Sequence, residues 1–390
     1  GRLKKLRKKI MKKFDVHVCL VSKQPLPNLI PILVSDPKPK EVILLVSHEM
    51  NERAGWLETV LKTYHIHVSK VSIADSYDKE ALENQMLDLK LFENYTSQNI
   101  LMNITGGTKL MAISAYSVFS ANDSVCAYFV ERSNELVYLD QAGQKFVLEP
   151  KLKIKDILLA HGYELVGKPL QQLPMNKPHL TRELVQGDFG SAISAINGVI
   201  SDKKLTADFP EKGDKERIKT VLDKFEREGL LQYDLQQITF TDKAALKYVH
   251  GGWLEEHVLS AVKDIKGLQD YALGGEIIKL GATASKQKQD GKADNELDVI
   301  VLMNNNLHII ECKTVNYTSP FNKGEGNNVI YRLQAFQEQE LGGLKTKVAL
   351  VSYRDLDEPT KKRAKDNQIP CYESRNIVNL KNNLEAWLKK

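Results

Sequence analysis

The chain lacks any cysteine pair: Cys19, Cys126, Cys312 and Cys371 lie far apart with no CxxC spacing. That excludes a disulfide framework and a thiolate zinc site, and leaves four buried thiols as the expectation. It also lacks an apolar run near the ~20 residues that a membrane helix needs. The early strand-like stretch FDVHVCLVSK carries no small-residue cleavage site, so no signal peptide is expected and the location reads as cytoplasmic, with no membrane partner. Neither GxxxxGK[ST] nor GxGxxG occurs, which removes the two commonest nucleotide-loop signatures. A strong charge of one sign is missing too. The net charge is +5, but residues 1–13 alone hold eight Lys and Arg with no acid, so the rest of the chain is slightly acidic. The basic balance belongs to that tail and says nothing about nucleic acid. Met11 reads as a native start, with the ten residues before it left open between an upstream extension and a leftover of expression.

What is present is ample apolar residue for burial, 42% of a chain of 390, with 27% charged. That length exceeds one core, so two or three domains are expected. The chemistry is plainest in ELDVIVLMNNNLHIIECKT, residues 296–314. An acid opens one apolar strand, a polar turn follows, and Glu-Cys-Lys closes the next. Side chains alternate along a strand, so Glu311 and Lys313 share a face, Cys312 takes the other, and Asp298 on the neighbouring strand reaches the same point. Hard divalent cations take oxygen ligands and rest on one or two carboxylates plus water and substrate phosphate. Lys313 would orient the attacking water and offset phosphate charge. A bare Glu-x-Lys is more often a solvated strand edge. Here Asp298, two strongly apolar strands and the preceding acid-bearing helix GGWLEEHVLSAV shift the balance toward a nuclease.

This pattern resembles the PD-(D/E)xK nucleases. By that resemblance the helix acid is Glu255, with Glu256 the less favoured option, the second acid is Asp298, and the ExK pair is Glu311 and Lys313. The catalytic set is thus Glu255, Asp298, Glu311 and Lys313, with Mn²⁺ or Mg²⁺ on Asp298, Glu311 and Glu255. Leu297-Asp298 stands where the nominal Pro-Asp would be. In the helix that follows, Tyr331 to Gln337, Arg332 and Gln334 are candidates for the active-site wall. Lys286, Lys288 and Lys292 in the loop Gly281 to Asp294 are candidates for holding substrate backbone.

From residue 14 to 150, strand-like runs (FDVHVCLVS, PNLIPILVS, EVILLVS, IHVSKVSI, NILMNIT, VCAYFVE) alternate with helical stretches, the pattern of a parallel sheet wound by helices. Ligands in such sheets bind beyond the strand carboxyl ends. NITGGTK places Thr-Gly-Gly-Thr-Lys between a strand and a helix, where backbone N–H groups and the helix N-terminus can meet an anion. The competing reading is a plain connection with Thr105 or Thr108 as an N-cap.

The two motifs together, over nearly the whole chain, resemble the CARF-domain (CRISPR-associated Rossmann fold) nucleases of type III CRISPR systems. The resemblance implies a homodimer whose paired Rossmann domains bind one cyclic tetra-adenylate as allosteric activator. Thr105, Gly106, Gly107, Thr108 and Lys109 carry over as ligand-binding, and Ser22, Gln24 and His48 by loop position. It implies cleavage of single-stranded DNA or RNA, with nicking of supercoiled DNA allowed. The expected fold is α/β throughout: a Rossmann-like parallel-sheet sensor domain over 11–150, a winged-helix-like connector over 151–250, and a restriction-endonuclease-like domain over 251–390. The helix Lys215 to Glu228 mixes charge signs, which favours a connector over a DNA reader. Two other readings share parts of the pattern: a nucleotide-sensing transcription regulator with a degenerate nuclease domain, and a constitutive repair or restriction nuclease.

Overall fold

The computed structural model describes residues 11–74, 77–141, 144–282, 296–338, 341 and 343–390. The chain divides into two compact units, Gly1–Glu164 with Lys279–Gly281, and Leu165–Ile278 with Ala282–Lys390. Among the described residues no helix is long and apolar enough to cross a membrane.

The first unit is built on seven strands: β1 Val16–Leu20, β2 Glu41–Val46, β3 His67–Ser72, β4 Ile100–Asn103, β5 Val125–Val130, β6 Glu135–Tyr138 and β7 Lys145–Val147. They lie in the order β3-β2-β1-β4-β5-β6-β7. Pairs are parallel as far as β5 and antiparallel beyond it. The central strands VHVCL, EVILLV and ILMN are apolar almost without alternation and buried on both faces, as helix-covered parallel strands must be. Strand order reverses between β1 and β4, the place where sheets of this kind bind ligands beyond the strand carboxyl ends.

PNLIPILVS, expected as a strand, is a helix, Leu26–Val34, with Pro31 inside it. A short apolar run does not distinguish a buried helix from a buried strand. Pro31 has no N–H to offer the carbonyl of Pro27, four residues back. Asn103 Nδ2 donates to Pro27 O instead, at 2.9 Å, so tertiary structure repairs what the sequence removes. Ser35 Oγ likewise donates to Pro31 O at 2.8 Å.

In the second unit, β9 (Thr206–Asp208), β10 (Leu231–Tyr233) and β11 (Gln237–Phe240) form a small antiparallel sheet beside the helix Lys215–Arg227, the winged-helix-like arrangement. The short strands β8 (Tyr163–Val166) and β13 (Glu276–Lys279) flank the points where the chain leaves and rejoins the first unit. The main sheet is β12 (Leu268–Leu273), β14 (Val299–Met303), β15 (Asn306–Lys313), β16 (Thr346–Ser352) and β17 (Cys371–Glu373), in that order. β14 pairs antiparallel with β12 and β15, while β16 and β17 run parallel to β15. The residues expected to form a connector share one apolar core with this sheet: Leu180, Ile193, Leu222 and Phe225 belong to the same cluster as Trp253, Val299 and Ile310. Tyr353 Oη donates to Leu184 O at 2.6 Å and Arg354 to Ser194 Oγ at 2.8 Å, so helices 178–186 and 190–199 are fastened to the end of β16.

Candidate active site and ligand turn

The acid-bearing helix Trp253–Val262 starts after a break. Residues Tyr248–Gly252 form a wide π-turn in which Gly251 takes φ 138°, a conformation a side chain would not tolerate. Such a turn resets the helix direction. Trp253, fully buried against the edge of the Tyr353 ring at 5.0 Å, anchors the restart. From there the two adjacent acids diverge. Glu256 is 4% exposed and accepts Met175 N at 2.8 Å and Asn176 N at 3.1 Å, so its carboxylate holds the chain together. Glu255 lines a pocket of about 210 Å³ with Asp298, Glu311, Lys313 and Arg332.

The hairpin brings the other groups there by register. Val299 stands opposite Ile310, which sets Asp298, one residue before β14, beside the end of β15. Asp298 Oδ2 accepts Cys312 N at 2.7 Å. Lys313 Nζ lies 2.6 Å from Glu311 Oε1 and 4.0 Å from Asp298 Oδ2. Glu311 is 1% exposed, and a carboxylate that deep requires paired charge. Lys313 and the Arg332 guanidinium both meet Oε1, leaving Oε2 outside those two contacts. Arg332 comes from the helix Glu325–Glu338. Gln334 on the same helix bonds Glu338 at 2.7 Å, and Tyr331 stacks under the Arg363 guanidinium at 3.7 Å; neither reaches the carboxylates by these contacts. The lysines at 286, 288 and 292 lie outside the described residues.

Charge is crowded in this pocket. Burial, and then the neighbouring Asp298, push the Glu255 carboxyl up to about 7. Burial also raises Asp298, with Lys313 pulling the other way. Among the described residues no three His, Cys, Asp or Glu side chains already close around a metal-sized centre, and Lys313 Nζ holds the space between Glu311 and Asp298. The donor set is nevertheless carboxylate oxygen, the type Mg²⁺ and Mn²⁺ prefer. Burial is the main cause of both raised carboxyls, and a cation beside them would favour their charged forms. The residues therefore fit such an ion.

The turn in the first unit is organised by Asn103, which the sequence did not single out. Its Oδ1 accepts Thr105 N at 3.1 Å and Thr105 Oγ1 at 2.6 Å, while Nδ2 serves Pro27. Thr105 Oγ1 also accepts Phe129 N at 2.7 Å, so that hydroxyl is committed to the fold. Thr108 caps the helix Lys109–Ala121, accepting Met111 N at 3.2 Å. Gly106 is buried, and a Cβ there would stand 1.9 Å from Leu20 O at the end of β1. Its smallness thus serves a contact inside the protein. Gly107, Thr108 and Lys109 are exposed. Ser22 Oγ donates to Gln24 O at 3.2 Å in the loop after β1, and His48 is exposed in the loop after β2.

Residues 16–157 match the family model of the Card1 CARF domain, and residues 242–390 that of the Card1-like endonuclease domain. The chain accordingly belongs to the CARF-domain nucleases, with a CARF domain ahead of an endonuclease domain. Solved structures share the fold. Protein VC1899 from Vibrio cholerae is similar at TM-score 0.76 and 23% identity, covering 96% of this chain and 98% of that one. Can2 from Sulfobacillus thermosulfidooxidans, solved in complex with cyclic tetra-adenylate, is similar at TM-score 0.68 and 23% identity over the same shares. A type III CRISPR defence DNA nuclease activated by cyclic oligoadenylate is similar at TM-score 0.54 and 17% identity, covering 89% of this chain and 46% of that one. The chain matches no curated protein.

Proposed function

We propose that this protein is a divalent-metal-dependent endonuclease of type III CRISPR defence, switched on by cyclic tetra-adenylate and cutting single-stranded nucleic acid. The observation that carries the reading is the meeting of Glu255, Asp298, Glu311 and Lys313 in one pocket. Glu255, Asp298 and Glu311 would hold the ion, which when bound polarises the phosphodiester and makes a bound water acidic. Lys313 orients the attacking water and faces the charge that builds on phosphate. Arg332 keeps Glu311 in place from the adjoining helix. The intact set favours a nuclease over a regulator with a degenerate domain.

The activator reading rests on the β1/β4 switch, where Gly107, Thr108 and Lys109 are presented with Ser22, Gln24 and His48 from neighbouring loops. One twofold-symmetric ring suits two copies of the chain, each giving the same loops to half of the ligand, so the active form is a homodimer. The test is cleavage of labelled RNA, single-stranded DNA and supercoiled plasmid, each with and without cyclic tetra-adenylate, in Mn²⁺ or in EDTA. Cutting that needs both activator and metal supports the proposal. Metal-dependent cutting that ignores the activator refutes the switch, and cutting unaffected by EDTA refutes the metal.

A further inference from the structure

We infer that Phe321 is a stacking platform for a nucleobase of the substrate strand, set in the cleft that leads to the catalytic carboxylates; this rests on the nuclease reading above. The cleft, about 1090 Å³, is lined by Glu255, Asp298 and Lys313 together with Ser319, Phe321 and Asn322. Phe321 is 94% exposed. A single exposed apolar side chain is common, but this one is held out by its loop. Ser319 Oγ accepts Phe321 N at 3.4 Å, Asn322 Nδ2 donates to Asn316 O at 2.9 Å, and Asn316 Oδ1 accepts Thr318 Oγ1 at 2.7 Å. The loop is thus braced from Asn316 to Asn322 with its ring outside, so little ordering cost remains when a ligand stacks on it.

Charge on the walls points to the same occupant. Among the described lining residues, Lys212 and Lys313 face five acids, Asp208, Glu211, Glu255, Asp298 and Glu325. A strand gripped only through phosphates would want a basic groove. This groove is not basic, so the grip falls to the bare aromatic, which suits a strand whose bases are free to stack because every base has a π-face. A duplex buries those faces, so the cleft takes single strands.

The test uses the full chain in EDTA with cyclic tetra-adenylate, so that binding is read without cleavage. The probe is a labelled short oligothymidylate. Stacking of one base is typically worth about a fivefold to hundredfold change in affinity. Phe321→Ala should weaken binding within that range, and Phe321→Trp should retain it with its indole fluorescence quenched by the oligomer. With Mn²⁺, Phe321→Ala should raise KM and leave kcat near wild type. The exposed ring has little packing to lose, so an unchanged melting curve should accompany these effects. Equal affinity of wild type and Phe321→Ala, or an unquenched Phe321→Trp that still binds, overturns the assignment while leaving the nuclease reading intact. A wild-type chain that neither binds nor cuts single strands overturns both.

Discussion

Glu255 and Glu256 are adjacent in sequence and opposite in consequence, and exchanging each in turn separates catalysis from architecture. Glu256 accepts two backbone N–H groups, from Met175 and Asn176, in a site 4% exposed. Hydrogen bonds to a charged group are worth ~1.5–3 kcal/mol each, and deletion orphans buried donors. Non-additivity between two bonds to one carboxylate brings the expected cost of Glu256→Ala to ~2–4 kcal/mol. Glu255 has the reverse sign. Its folded-state carboxyl is raised from 4.5 to about 7, so the native state holds the extra proton between those values. Its ionisation therefore lowers stability as pH rises through that window, with the full penalty above pH 7. The shift corresponds to ~3 kcal/mol, which partial access to the cleft reduces to ~1–3 kcal/mol. In EDTA at pH 8, Glu255→Gln should move the urea midpoint up and Glu256→Ala should move it down, read by fluorescence of the buried Trp253. At pH 4.5 the gain from Glu255→Gln should vanish. Where both are folded, Glu255→Gln should lose about a hundredfold or more in cleavage, the scale of removing a group that acts in the transition state, and Glu256→Gln should cut nearly as wild type. A Glu255→Gln variant that cuts normally, or is destabilised as much as Glu256→Ala, refutes the assignment of the helix acid.

Three further outcomes follow from named contacts. Glu311→Ala or Lys313→Ala should abolish metal-dependent cleavage while calorimetry still registers cyclic tetra-adenylate; cleavage within tenfold of wild type would end the metal-site reading. Gly106→Ala should destabilise the first unit by ~1–3 kcal/mol, since its Cβ would press on Leu20 O and overpacking of this kind costs that much. Lys109→Ala should leave the melting curve alone and weaken activator binding, and the opposite pairing of effects would show that the turn is purely structural. His17 and His161 are buried neutral, lowered from 6.5 to about 3 and about 4 by burial. The unfolded chain binds protons first, so their contribution is present above pH 6.5 and is lost as pH falls toward 4, by a few kcal/mol in all; His17→Phe should flatten the acid limb of a denaturation series.

The sequence alone determined the local devices. Alternation along ELDVIVLMNNNLHIIECKT set Glu311 and Lys313 on one face, because a period of two admits no other choice for a strand. Strand-TGGTK-helix marked the carboxyl end of a parallel strand, and the helix Lys109–Ala121 begins where Thr108 caps it. Tertiary structure decided what local pattern leaves degenerate. PNLIPILVS satisfies strand and helix alike, and became a helix because Asn103, far along the chain, supplies the hydrogen bond that Pro31 cannot. LQDYAL, with polar residues on an edge, gave little hydrophobic signal and still forms β12 by pairing with β14. Glu255 and Glu256 are equivalent as letters; the backbone N–H groups of Met175 and Asn176 engage Glu256, and Glu255 lines the pocket with Asp298 and Glu311. The need for glycine at 106 comes from Leu20 O, which fills the place of a Cβ there. In each case the deciding partner lies dozens of residues away, and a pattern read along the chain carries no information about a contact made across it.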